Sequence, residues 1–358
     1  MPAQKPGRPS SFPGVCPSGN LPESPALSHT ARSQMWCLFM VIYFMVSLGT
    51  THGVFRSRRS INPEANMNIS QIISYWGYPD EKYDIVTEDG YILGLYRIPY
   101  GKTNNNNSAQ RLVVYLQHGL LTSASSWISN LPNNSLGFVL ADAGYDVWMG
   151  NSRGSTWSRK HKYLKTNSKE FWAFSFDEMA KYDLPASIDF VLKQTGQEEI
   201  FYIGHSQGTT IAFIAFSTFP KIAERIKIFF ALAPVFSIKH TKCPLLKMAY
   251  KLKSIIKLLY STNLKAFDWG SPDLNLVHFN QTTSPSYDVT NMEVPTATWN
   301  GERDLLADPE DVETLRSEIK NHFYHKTISY YNHIDFLFGM DAYDQVYREI
   351  IDIIQVNL

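Results

Sequence analysis

The sequence predicts an α/β protein, a mostly parallel central sheet with helices on both faces. Three observations predict it. Continuous apolar runs that read as strands alternate with runs that read as helices, the pattern of a sheet buried on both sides. Loops rich in Gly, His, Asp and Ser follow the carboxyl ends of those strands, where chemistry collects in such sheets. Finally, Gly204-His205-Ser206-Gln207-Gly208 sits between a strand and a helix with a serine at its apex.

The elements follow in order. Residues 83–87 and 91–98 read as two strands joined by Glu88-Asp89-Gly90, which has hairpin-turn chemistry. Residues 111–116 form a buried strand ending at Gln117-His118-Gly119-Leu120-Leu121. Residues 136–143 read as a helix and 145–149 as the next strand. Residues 183–193 form a helix with Gly196 just past its end. The strand 200–203 and the helix 209–216 flank the serine. Further strands are expected at 226–233, 296–299 and 326–330, and an amphipathic helix over 343–356 closes the chain.

The chain has 358 residues, 33 basic and 33 acidic, so its formal net charge is zero and no nucleic acid or other polyanion is indicated. Hydrophobic residues make up 44% and supply a large core. Of three cysteines, Cys16 and Cys37 lie in the amino-terminal leader. Cys243 stands alone, so no internal disulfide is expected. No metal-ligand spacing occurs, and neither a catalytic metal nor a cofactor is expected.

Residues 1–34, rich in Pro, Ser and Gly, read as a disordered leader. The apolar run within 35–53 has the length of a signal-peptide core. The rival reading is an uncleaved anchor, since Arg56, Arg58 and Arg59 follow it. Sequons at Asn68, Asn106, Asn133 and Asn280 agree with a secretory route; Asn133 is the weakest of them, because its surroundings could be packed.

Chemistry concentrates at three positions. Glycines on both sides of Ser206 suit a strained, crowded turn that lifts the hydroxyl clear. A serine hydroxyl near neutral pH needs a base, usually a histidine oriented by a carboxylate. In the α/β-hydrolase plan the chain order is Ser, Asp or Glu, then His, and Asp304 and His333 satisfy it, each just past an expected strand. Asp308 reads as a helix cap; Asp311 and Glu302 are nearby competitors. His322 and His325 fall before the last strand, and His278 falls in an insertion. Asp335 reads as a brace for the histidine loop. The amides of Gln207 and Leu120 are the expected oxyanion donors, with Gly119 allowing the tight turn. His118 reads as structural, and Arg153 as the partner of a loop acid.

The segments 117–121, 127–135, 141–148, 204–210 and 304–309 resemble the acid lipase family of gastric and lysosomal lipases, over about residues 62–358. The resemblance implies an α/β-hydrolase fold and an ester hydrolase acting on acylglycerols or cholesteryl esters at a lipid–water interface. It also implies a secreted or lysosomal-lumen location; the chain is expected to be a monomer. Carried over, Ser206 is the nucleophile, Asp304 the orienting acid and His333 the base, with Leu120 and Gln207 giving the oxyanion amides. The core would span 62–236 and 291–358, separated by a cap over 237–290. That cap is short: about seventy family positions are absent between Lys253 and Leu264. A cap-truncated, inactive lipid-binding scaffold is therefore the alternative, and a serine peptidase a weaker third reading.

Overall fold

The computed structural model describes residues 62–103, 110–237, 239–243 and 264–357. The expected leader 1–34, the signal segment 35–53, Asn106 and the junction between Lys253 and Leu264 lie outside the described residues.

Helix α1 (Ile69–Tyr75) starts from a capping box, in which Asn68 accepts from the Gln71 amide while Gln71 reaches back to the Asn68 amide. Strands β1 (Glu81–Val86) and β2 (Tyr91–Ile98) form the expected antiparallel hairpin. Then come β3 (Val113–Gln117), α2 (Leu136–Asp142), β4 (Asp146–Gly150) and the two-residue β5 (Lys160–His161) against β2. A helical turn Phe176–Glu178 and a π-turn Met179–Asp183 lead into α3 (Leu184–Thr195), which ends at left-handed Gly196. Strand β6 (Ile200–His205) and α4 (Gln207–Thr218) meet at Ser206. Strand β7 (Ile226–Leu232) precedes the insertion, which includes α5 (Pro272–Phe279). Strand β8 (Thr296–Gly301), α6 (Pro309–Glu318), β9 (His322–Ile328), a π-turn Tyr343–Tyr347 and α7 (Arg348–Val356) complete the chain.

The nine strands among the described residues form one sheet in the order β1-β2-β4-β3-β6-β7-β8-β9, with β5 beside β2. From β4 to β9 every pairing is parallel; β1, β2 and β5 are antiparallel additions at one edge. Alternate strand residues feed two cores. Val114, Leu116, Val147, Phe201 and Phe230 pack under α1, α2 and α7. Val113, Tyr115, Trp148, Tyr202 and Phe229 pack under α3 and α4. Because both faces are covered, the central strands read as unbroken apolar runs.

One boundary differs from the sequence expectation. His322 and His325 lie inside β9, not before it, and both reach the Thr298 hydroxyl of β8. Strand β9 is the sheet edge and half exposed, so its His-Phe-Tyr-His-Lys-Thr run lacks the continuous apolar signature of the central strands.

Candidate active site

Ser206 sits where β6 turns into α4, at φ 55° and ψ −122°, a left-handed conformation that costs an L-residue about 1–3 kcal/mol. Packing imposes it. A Cβ on Gly204 would lie 2.9 Å from the Gly208 carbonyl group, and one on Gly208 would lie 2.3 Å from the Gln117 carbonyl oxygen. Those are backbone atoms that cannot swing away, so the two glycines are what permit the turn. The Ser206 amide is held by the Leu232 carbonyl at 3.1 Å, tying the elbow to β7.

The two partners arrive from loops beyond β8 and β9. His333 Nε2 lies 2.7 Å from Ser206 Oγ, and His333 Nδ1 lies 2.8 Å from Asp304 Oδ2. Asp304 is 1% exposed, and its other oxygen accepts from the amides of Leu306 and Ala307 at 2.8 and 2.9 Å. A carboxylate can only accept, so Nδ1 carries the proton and Nε2 presents its lone pair to the serine hydroxyl. The competing groups lie elsewhere. Asp308 caps α6 by accepting from the Glu310 amide, and Asp311 takes His240. His278 stacks on Trp269. Asp335 accepts from the Asn332 amide at 2.7 Å, bracing the histidine loop.

Gly119 approaches the nucleophile so closely that a Cβ there would lie 2.9 Å from the Ser206 Cβ. Leu120 follows Gly119 and Gln207 follows Ser206 in the chain, and both line a cavity of about 410 Å³ whose walls include Leu121, Trp172, Phe174 and Met179. His118 is buried: its Nδ1–H donates to the Gly119 carbonyl and its Nε2 accepts from the Ser152 amide, while burial pushes its pKa down to about 4. It shapes the loop as a neutral group. Arg153 is buried against Asp183 and Asp89 at 2.7 and 2.6 Å, stacked over the Tyr91 ring. Cys243 is unpaired and half-buried. Among the described residues, no group of three or more His, Cys, Asp or Glu could hold a metal ion.

Sequence reasoning passed over His205, whose ring reaches the His333 main chain (2.8 Å, Nε2 to O). A single histidine in the variable position of a G-x-S-x-G turn carries no local signal of that contact.

Comparisons with known proteins agree with this architecture. A family model described as a partial alpha/beta-hydrolase lipase region matches residues 69–131, and one described as the alpha/beta hydrolase fold matches residues 113–252. The chain is 66% identical to lipase member J of Homo sapiens over 366 residues, covering 82% of this chain and all of that protein. It is 47% identical to human gastric triacylglycerol lipase over 393 residues, covering 89% of this chain and 99% of that protein. Among solved structures, an esterase of Pyrococcus furiosus superposes with a TM-score of 0.55 at 17% identity, over 81% of this chain and 94% of that one, which speaks for the fold. At such identities over nearly the full length of the relatives, the chain belongs to the acid lipase family, carboxylic ester hydrolases of the α/β-hydrolase fold.

Proposed function

We propose that the protein cleaves neutral lipid esters, acylglycerols or cholesteryl esters, through an acyl-enzyme formed on Ser206. The observation that carries this reading is the unbroken chain Ser206–His333–Asp304, with heavy-atom distances of 2.7 and 2.8 Å. His333 Nε2 takes the hydroxyl proton as Oγ attacks the ester carbonyl carbon. The amides of Leu120 and Gln207 stabilise the oxyanion of the tetrahedral intermediate. Its collapse breaks the carbonyl–alkoxy bond, and His333 returns the proton to the departing alcohol. Water, deprotonated by His333, then hydrolyses the acyl-serine and restores the hydroxyl.

A lipid substrate is supported by the relatives' names and by the surface next to the triad. Leu120, Leu121, Leu305 and Ile334 adjoin the oxyanion, acid and base positions in the chain and are 51%, 95%, 49% and 54% exposed. Apolar side chains gathered there suit contact with a lipid–water interface. A secretory route, to the extracellular space or the lysosomal lumen, is supported by the exposure of two sequon asparagines, Asn133 and Asn280, and the partial exposure of Asn68. No helix among the described residues is long and apolar enough to cross a membrane.

The alternative, a lipid-binding scaffold with a crippled cap, is favoured by the alignment lengths. Eighty-two per cent of 358 residues is about 294, so roughly seventy of the 366 positions aligned with lipase member J have no counterpart here. An alkyl fluorophosphonate probe separates the two readings. Covalent labelling of the full chain is expected, and it disappears in Ser206→Ala. Folded wild-type protein that stays unlabelled would leave the scaffold reading standing and end the hydrolase one.

A further inference from the structure

A second imidazole stands beside the reacting pair. His205 is the last residue of β6 and 3% exposed. Its Nε2 lies 2.8 Å from the backbone carbonyl oxygen of His333, a contact between residues 128 apart in the chain. A carbonyl only accepts, so Nε2 bears the proton and Nδ1 keeps a lone pair. Nδ1 is buried with no hydrogen-bond partner, and a Cβ placed on Gly119 would come within 3.3 Å of it. The ring is therefore held between the loop of the base and the glycine turn that approaches the nucleophile. The two rings are 5.1 Å apart, centroid to centroid, and tilted by 47°, so stacking does not explain the contact.

We propose that His205 is a positioning residue of the hydrolytic site: its Nε2–H anchors the main chain of His333, and its ring sets the spacing between that loop and Gly119. The inference rests on the hydrolase reading above. The base reaches Ser206 from a loop beyond an edge strand, so a fixed point on the central strand β6 removes freedom just where small displacements are expensive. A 1 Å misplacement in such a site can lower turnover by about a hundredfold. The anchor must also stay neutral, because His333 becomes cationic in each half-reaction. Burial, with His333 and His118 nearby, pushes the His205 pKa down to about 3, so the donor is present and uncharged from mildly acid to alkaline pH.

The test compares wild type, Ser206→Ala, His205→Leu, His205→Met and His205→Gln on a short soluble ester. Folding is followed by thermal melting, and the His333 Nδ1 proton by its downfield resonance. Leu and Met remove the donor at similar volume; Gln keeps an N–H that can reach the carbonyl. The expected result is a drop in kcat of about tenfold to a hundredfold in a folded Leu or Met variant, KM within about twofold, a broadened Nδ1 resonance, and recovery of most of the turnover by Gln. A folded donor-less variant with wild-type kcat and a sharp resonance overturns the proposal, as does a Gln variant no better than Leu. Wild type that fails to turn over or to label is a separate failure, of the hydrolase reading. In that case the Nδ1 resonance of the Leu variant still decides whether His205 anchors the loop.

Discussion

Ser206 owes its backbone conformation to two missing side chains, and in the proposed mechanism it would owe its reactivity to His333 and, behind it, Asp304. Gly204 and Gly208 let the chain fold back where any Cβ would strike a carbonyl group. Asp304 fixes the tautomer of His333, and its own orientation is fixed by the amides of Leu306 and Ala307. Asp304→Asn keeps that shape but offers His333 an amide in place of a carboxylate. A loss in kcat on the order of 10³- to 10⁴-fold on a soluble ester is expected, with melting temperature little changed. Asp308→Asn keeps an acceptor at the cap of α6 but removes the negative charge there and the ion pair with Lys242, so the lost charge at the helix start should lower stability by about 0.3–1 kcal/mol while turnover stays within twofold. If the two variants exchanged effects, the assignment of the acid would be wrong. This part of the site was legible in the sequence because chain order and loop position distinguish Asp304 from Asp308 and His333 from His325. His205 was not legible, since its role depends on a loop brought beside it from 128 residues away.

At the scale of elements, the central strands were legible because burial on both faces leaves an unmistakable apolar run, as in 200–203 and 228–232. The edges were not. Strand β9 mixes polar and apolar residues, and β5 is two residues long. The joint between core and insertion was equally silent, because it is made of single contacts. On the outgoing side, the amides of Lys242 and Cys243 and the hydroxyl of Thr241 all reach the Leu305 carbonyl, next to Asp304. On the returning side, the Asp177 carboxylate accepts from the Phe267 amide at 2.8 Å and the Tyr287 hydroxyl at 2.7 Å, with Ser175 at 3.0 Å. Burial, helped by the Glu178 charge, raises the Asp177 pKa to about 6 despite these donors. The folded state therefore binds that proton more tightly than the unfolded chain does. The stability contributed is full below about pH 4 and is lost as pH rises through about 6. The gap between the ordinary carboxyl value and about 6 corresponds to on the order of 3 kcal/mol. Asp177→Asn should flatten the rise in stability of the wild type between pH 7 and pH 5, at a pH-independent cost to the joint. Urea midpoints at three pH values check this; parallel profiles for the two proteins would exclude Asp177 as the source.

For the whole molecule, the nine-stranded sheet of the described residues, which carries the Ser206–His333–Asp304 contacts, stands against the roughly seventy positions of lipase member J that have no counterpart in this chain. In the proposed mechanism the groups that carry acyl transfer lie at or just beyond the ends of β3, β6, β8 and β9, strands joined through β7 in one parallel ladder. What an insertion over such a site adds is exclusion of water and a wall for a long acyl chain, both of which strengthen with burial. Leu120, Leu121, Leu305 and Ile334 remain exposed among the described residues, and the cavity beside Gln207 is about 410 Å³. Short soluble esters need only the triad and the oxyanion amides. Emulsified long-chain esters also need an apolar path long enough to desolvate the chain. The expected outcome is measurable kcat/KM on a short ester and a value at least tenfold lower, relative to a full-length gastric lipase assayed alongside, on a long-chain emulsion, a gap of about 1.4 kcal/mol in transition-state stabilisation. Equal relative rates on the two substrates would mean that the short insertion already supplies the wall, and that the roughly seventy unmatched positions are dispensable for lipid turnover.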